Sequence, residues 1–329
     1  MQERHARRSF LRLAGGTLGL LATPVIARAG ATSLVSASPA AATPPAGEPL
    51  IDHPTGSEDL VLRVEYVGGF LPPQARLSEL PIFSLFGDGR VVTLGPQIAI
   101  WPSPALPNLR QAYLLEDGIQ EVLTAARDAG LMEGPRRYHN NLIADAPWTV
   151  FTVNAEERTT WVAAYALGLG EDPSWTDEAR AAIAELQRFV EQLGDLSAWI
   201  APSKFKSDDE PFPIERLQIV VEPIDPTQPV DPNDPTRDQP PVDWPLERSL
   251  SAFASMPDEW GLPEPLRCGV VQGEEAAKVV ALAEQTNILT PWVSEGVSYL
   301  VSFRPLLPDE RGCPPRPPFE FDVEATPSA

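Results

Sequence analysis

The sequence predicts an α+β fold, with antiparallel hairpins forming a sheet and amphipathic helices packed on one of its faces. Three observations predict it. Segments 82–86 and 90–94 flank Gly87-Asp88-Gly89, and segments 148–153 and 159–165 flank a turn over 154–157, so both pairs read as hairpins. Two segments between and after them carry apolar residues at helical spacing, 115–129 and 177–193. Of 329 residues, 43% are hydrophobic and 38 are proline. That is enough apolar material for a core, and too much proline for long unbroken elements.

Taken in chain order, 60–67 alternates as a strand, with Leu62, Val64 and Tyr66 on one face. The first hairpin follows. The helix over 115–129 places Leu115, Ile119, Val122, Leu123 and Ala126 on one side, and Gly130 ends it. The second hairpin comes next. The helix over 177–193 has Thr176 as its cap and Ala179, Ile183, Leu186 and Val190 as its stripe, and it stops at Gly194. These elements make a first α+β region over 58–200. A second region, 212–313, opens with a strand at 217–221. It continues with a short helix at 246–254, a strand at 268–271, and a helix at 274–284 led by Glu274 and Glu275, as the helix dipole favours. A hairpin of 290–293 and 297–303 over Ser294-Glu295-Gly296 closes it. The regions form two domains or one composite domain. In each, a helix precedes a Pro-Trp pair that opens a hairpin, Pro147-Trp148 and Pro291-Trp292, which reads as a weakly duplicated β–α–hairpin unit or as coincidence.

The N-terminus reads as an address. Arg4, Arg7, Arg8 and Arg12 precede an apolar run over 13–26, and Ala27-Arg28-Ala29 fits a cleavage site, so 1–29 is expected to be a signal peptide. The run is short and glycine-rich for a membrane span, so no span is expected after cleavage; a leader kept as an anchor is the other possibility. Residues 30–57, rich in Ala, Ser and Pro, read as a tether. The segment 223–245 reads as a Pro/Asp-rich loop and 314–329 as a Pro-rich tail.

Charge and residue inventory narrow the function. The chain holds 25 Lys+Arg against 46 Asp+Glu, a net −21. Removing 1–29 takes away five Arg and one Glu, leaving 20 basic and 45 acidic residues, or −25. Such a surface disfavours nucleic acid. Cys268 and Cys313 lie 45 apart and are expected to form a disulfide in an oxidising compartment. Beyond the leader only His53 and His139 remain, so no metal, cofactor or catalytic residue is assigned. No nucleophile elbow, phosphate loop or zinc helix motif occurs. Asp225, Asp231, Asp234, Asp238 and Asp243 offer hard oxygen ligands, the basis for an alternative reading as a calcium-stabilised structural domain. The abundant carboxylates permit another, a carboxylate-pair hydrolase acting on cell-wall glycan. The leading expectation is a non-enzymatic extracellular or envelope module that binds a protein or glycan, its oligomeric state open; Trp244 and Trp260 read first as core or loop-anchoring side chains and, where exposed, as candidate stacking surfaces.

Two resemblances add to this. Arg7-Arg8-Ser9-Phe10-Leu11-Arg12 resembles the twin-arginine translocation signal, on the pair Arg7 and Arg8 followed by Phe10 and Leu11. It implies that the chain folds in a bacterial cytoplasm and is exported folded. The body carries Phe83-Ser84-Leu85-Phe86-Gly87-Asp88-Gly89, Ala105-Leu106-Pro107-Asn108-Leu109 and Phe303-Arg304-Pro305-Leu306-Leu307-Pro308-Asp309-Glu310. On these it is similar to uncharacterised secreted proteins of high-GC bacteria, which implies a class and no mechanism.

Overall fold

The structure, a computed structural model, describes residues 49–71, 73–224, 239–256 and 266–313. The leader, most of the tether, the core of the Pro/Asp-rich loop and the tail lie outside the described residues, as do Trp260 and four of the five loop aspartates. From Pro49 on, the chain belongs to one compact unit that contains two sheets and four helices, a sheet-dominated α+β architecture.

The first sheet has eight strands: β1 (Leu60–Gly68), β2 (Phe83–Phe86), β3 (Arg90–Leu94), β4 (Leu109–Leu114), β5 (Arg136–Tyr138), β6 (Pro147–Ala155), β7 (Arg158–Tyr165) and β8 (Phe205–Pro211). Their order is β5-β7-β6-β1-β2-β3-β4-β8, antiparallel throughout except between β5 and β7. Alternation along the strands sends Leu62 and Val64, Phe83 and Leu85, and Phe151 and Val153 to one face. There α2 (Glu116–Asp128) and α3 (Asp177–Gly194) cover them with Ile119, Val122, Leu123, Leu186 and Phe189. Each fully buried side chain of this size contributes about 1.5–3 kcal/mol. Thr176 caps α3, its hydroxyl accepting from the Ala179 amide at 3.1 Å. The turn Gly87-Asp88-Gly89 is tight for a reason: Gly89 has φ +86°, and a Cβ there would lie 2.2 Å from the Leu114 carbonyl oxygen.

The second sheet has six strands: β9 (Arg216–Pro223), β10 (Val242–Asp243), β11 (Ala254–Ser255), β12 (Arg267–Gln272), β13 (Trp292–Ser294) and β14 (Val297–Pro305), in the order β10-β13-β14-β9-β12-β11. Its core face packs Leu217, Ile219, Trp292 and Phe303 against Ala276, Val279 and Ala283 of α4 (Glu274–Ala283). The helix expected over 246–254 is a correction. Only a 3-10 turn, Leu250–Ala252, forms there, followed by β11. Leu246, Leu250 and Phe253 have helical spacing, but one aromatic cluster around Trp244 takes all three. Two partners also divert the backbone from a helix. The Arg248 carbonyl accepts from the Trp244 indole, and the Leu250 amide donates to Ser294 Oγ. The two Pro-Trp hairpins enter their sheets differently. In the first sheet the Pro-Trp strand β6 pairs with the inner strand β1; in the second, β14 pairs inward and β13 lies outside it.

The sheets meet through their back faces. The short helix α1 (Pro73–Ser78) and the chain after β14 lie between them. Leu77 packs on Val220 and Cys268, and Leu307 packs on Phe86 and Val92. Three arginines clamp 306–310. Arg63 is 1% exposed and gives Asp309 a two-pronged pair at 3.0 and 2.8 Å, with Ser84 Oγ accepting from its Nε. Arg304 grips Glu310 at 2.6 and 2.7 Å and donates to the Glu79 carbonyl. Arg216 donates to the carbonyls of Leu307, Pro308 and Glu310. Burial alone would pull the Arg63 guanidinium down; Asp309, with Glu310 and Glu65 behind it, raises it on balance. Burial likewise works to raise Glu310, but Arg304, Arg63 and the Leu307 amide hold it below its usual range. The stretches Phe83–Gly89 and Phe303–Glu310 therefore supply Ser84, Arg304, Asp309 and Glu310 to one seam. A little further along, the sulfurs of Cys268 and Cys313 stand at bonding distance, with 5.7 Å between Cα atoms.

Candidate functional site

Strand direction divides the eight-stranded sheet into two unlike ends. β1 pairs antiparallel with β2 and β6, and β3 with β2 and β4. One end therefore gathers the chain after β1, the β3–β4 loop, the β5–β6 loop and the chain after β7. The opposite end gathers the entry to β1, the β2–β3 turn, the β6–β7 turn and the start of α2.

The second end is acidic. It holds Asp52, Glu58, Asp59, Asp88, Glu116, Asp117, Glu156 and Glu157, against Arg90, Arg158 and Arg311 paired to Asp88, Glu156 and Glu58. An open depression of about 620 Å³ lies here, lined by Asp52, His53, Glu58, Asp59, Glu157 and Arg158 among others. His53 is fixed in its wall, with Nδ1 on the Pro54 carbonyl at 2.7 Å and Nε2 on Glu116 at 3.2 Å. No group of three or more His, Cys, Asp or Glu among the described residues is placed to hold a metal ion.

The first end is apolar. Thirteen large hydrophobic side chains are exposed among the described residues, and nine of them lie here: Tyr66, Phe70, Leu71, Leu94, Ile98, Ile100, Trp101, Leu142 and Leu169. Phe70 is 88% exposed, Ile98 65%, Ile100 56% and Trp101 72%. A soluble surface scatters such residues singly; concentrating them marks an interaction site.

The loops that present them are anchored at their bases. At the start of the β3–β4 loop, the Gly95 amide donates to the Asn108 carbonyl at 2.9 Å. The Gln97 amide group donates to the carbonyls of Gly95 and Asn108, and Asn108 Nδ2 donates to the Pro96 carbonyl. Its far side is tied to the second region: the Ala105 amide donates to Thr286, and the Ile288 amide to Ser103. Between these anchors, 98–101 stands in solvent with a single backbone bond of its own, Ile100 to Ile98. The chain after β1 is tied to the β5–β6 loop by the Phe70 amide on the Asp145 carbonyl. The β5–β6 loop is tied in turn to the chain after β7. There the buried Asp172 accepts from Asn141 N and Nδ2 and from Ser174 N and Oγ, which hold its carboxyl well below the usual carboxylate range, Ser174 most strongly.

The residues singled out by sequence fall as follows. His139 is at the apolar end, exposed, stacked flat on Tyr165 at 4.7 Å and edge-on to Trp148 at 5.6 Å. Trp244 is buried against Phe253 and Trp292, as its core reading expects, so it offers no stacking surface, and Trp260 lies outside the described residues. Trp148 and Trp161 are half-buried, and Trp292 is fully buried. Among the described residues the exposed indole is Trp101. Asp243 is the one loop aspartate described, exposed on β10. Burial pushes the Glu79 carboxyl up to about 7, with Arg76 opposing and Glu65 assisting, so the fold loses stability as pH rises from the usual carboxylate range to about 7.

The signal for the apolar end is in the sequence. The 16 residues from Leu94 to Leu109 carry no charge in a chain that is 22% charged. Prolines 96, 102, 104 and 107 keep Ile98, Ile100 and Trp101 from forming a buried strand. Among the described residues no helix is long and apolar enough to cross a membrane. Compared with models of protein families, with curated proteins and with solved structures, the chain matches none.

Proposed function

We propose that this is an exported binding module of the bacterial envelope or extracellular space, and that it engages its partner through the apolar end of the eight-stranded sheet. The observation that carries the reading is the clustering of nine exposed apolar side chains at one sheet end, seven of them on loops whose bases are hydrogen-bonded in place. Anchored loops lose little further freedom on binding, so the desolvation of Ile98, Ile100 and Trp101 appears as affinity. Export rests on the resemblance of Arg7-Arg8-Ser9-Phe10-Leu11 to a twin-arginine signal and on the cysteine pair, which suits an oxidising compartment. The twin-arginine route also suits a chain whose two sheets interlock through a buried ionic seam.

Site-specific photo-crosslinking tests it. A photoreactive side chain is placed at position 101, or at position 157 on the acidic end, in cells that export the chain. Adducts are expected from position 101 and not from 157. Adducts from 157 alone, or from neither, would overturn the reading.

A further inference from the structure

Resting on that reading, we infer that the partner is a lipid surface of neutral headgroups, into which the loop tips at the apolar end insert. The arrangement of the tips comes first. They stand on four separate chain segments spread from β7 to β4, five strand spacings or about 24 Å across. Phe70, Ile98, Ile100, Trp101, Leu142 and Leu169 are each exposed on these segments. Separate tips along one end of a sheet suit a broad, deformable apolar phase. One groove of a protein partner would have to match all four at once. An indole at the most apolar tip suits the membrane–water boundary, where its ring is buried and its N–H stays wet.

Charge decides between lipid classes. Segments 69–71, 95–108, 139–146 and 166–175 contain no Lys or Arg. Two acids, Asp145 and Glu171, are exposed among them, and the opposite end of the sheet is strongly acidic. Anionic headgroups draw peripheral proteins through free basic residues; the four segments carry none, and the neighbouring Arg180 is paired to Glu171 and Asp177. Insertion is therefore driven by apolar area, with the acidic end turned away from the surface. The same charge disfavours a second copy, since two exported chains of net −25 would have to approach one another.

Flotation with vesicles tests it, using the exported, disulfide-intact chain, phosphatidylcholine vesicles, and the same vesicles doped with phosphatidylglycerol. The chain is expected to float with phosphatidylcholine. Phosphatidylglycerol should not strengthen binding, and added salt should not weaken it. The I98S/W101S double substitution is expected to lower partitioning at least tenfold, roughly what losing the main inserted tips implies, with the melting temperature unchanged because both side chains are exposed. A wild-type chain that stays at the bottom of the gradient overturns the inference, as does a double variant that floats equally well. So does a wild-type dimer lost in I98S/W101S, which would assign the end to a second copy. If flotation fails while position 101 still crosslinks to a protein, the lipid inference falls and the binding-module reading stands. If both fail, both fall.

Discussion

Asp309→Ala is expected to destabilise the fold by about 3–5 kcal/mol, the range for breaking a buried ion pair on one side. Arg63 is 1% exposed, and both its terminal nitrogens are committed to Asp309. Removing the carboxylate leaves a buried guanidinium in the seam, with Ser84 Oγ still accepting from its Nε but both terminal nitrogens stripped of Asp309. Arg63→Met should be milder, because Asp309 is 22% exposed and water can take over its oxygens. Combining Arg63→Met with Asp309→Leu should recover most of the loss, since apolar replacement of a whole buried pair is often neutral. Urea unfolding at neutral pH measures all three. An Asp309→Ala penalty below about 1 kcal/mol, the scale of an exposed pair, would show that the seam is wet. Acid should weaken the same clamp through Glu310. Its folded pKa lies below the unfolded value of about 4.3, so its contribution is complete above that pH and is lost as pH falls through the folded value.

Replacing both cysteines, Cys268→Ala with Cys313→Ala, should remove about 4 kcal/mol in the chain-entropy account of a 45-residue loop. Cys268 is buried beside Leu77, Val220 and Leu266, so Ala is the fitting replacement; Ser would bury a hydroxyl. The pair also holds the end of the arginine-clamped segment onto β12, so the loss should spread to the seam. Scanning calorimetry of oxidised and substituted protein should show melting about 8–15 °C lower for a domain of this size. A shift under about 2 °C would mean that the seam holds the segment by itself.

Strands and helices with strong periodicity are legible in the sequence. β1, both principal hairpins, α2, α3 and α4 lie where 2.0 and 3.6 periods place them, within a residue or two. What escaped has physical causes. β8 reads Phe-Lys-Ser-Asp-Asp-Glu-Pro and has no apolar alternation, because it is an edge strand fixed by cross-strand pairs such as Arg110 with Asp209 and Gln111 with Glu210. β4 follows the charge-free loop, and its buried positions, Leu109, Gln111 and Leu114, include a glutamine and break the apolar alternation. The 246–254 stripe imitates a helix because three apolar side chains converge on Trp244. The site was legible only as composition. The charge-free run at 94–109 and its prolines are visible in sequence, but the grouping of Phe70, Trp101, Leu142 and Leu169 depends on strand order, which no local pattern encodes.

Amide hydrogen exchange is the most direct measurement of which end of the sheet meets the partner. The exported chain is compared alone and bound to an envelope preparation from the cells that export it. The account predicts slowed exchange in the 95–103 loop and the 140–146 loop, with 87–89 and 156–158 unchanged. Those apolar-end amides exchange freely when few are hydrogen-bonded, as around 98–101, so occlusion is readily seen. Slowing at 156–158 with none in the 95–103 loop, or no slowing at either end, would contradict it.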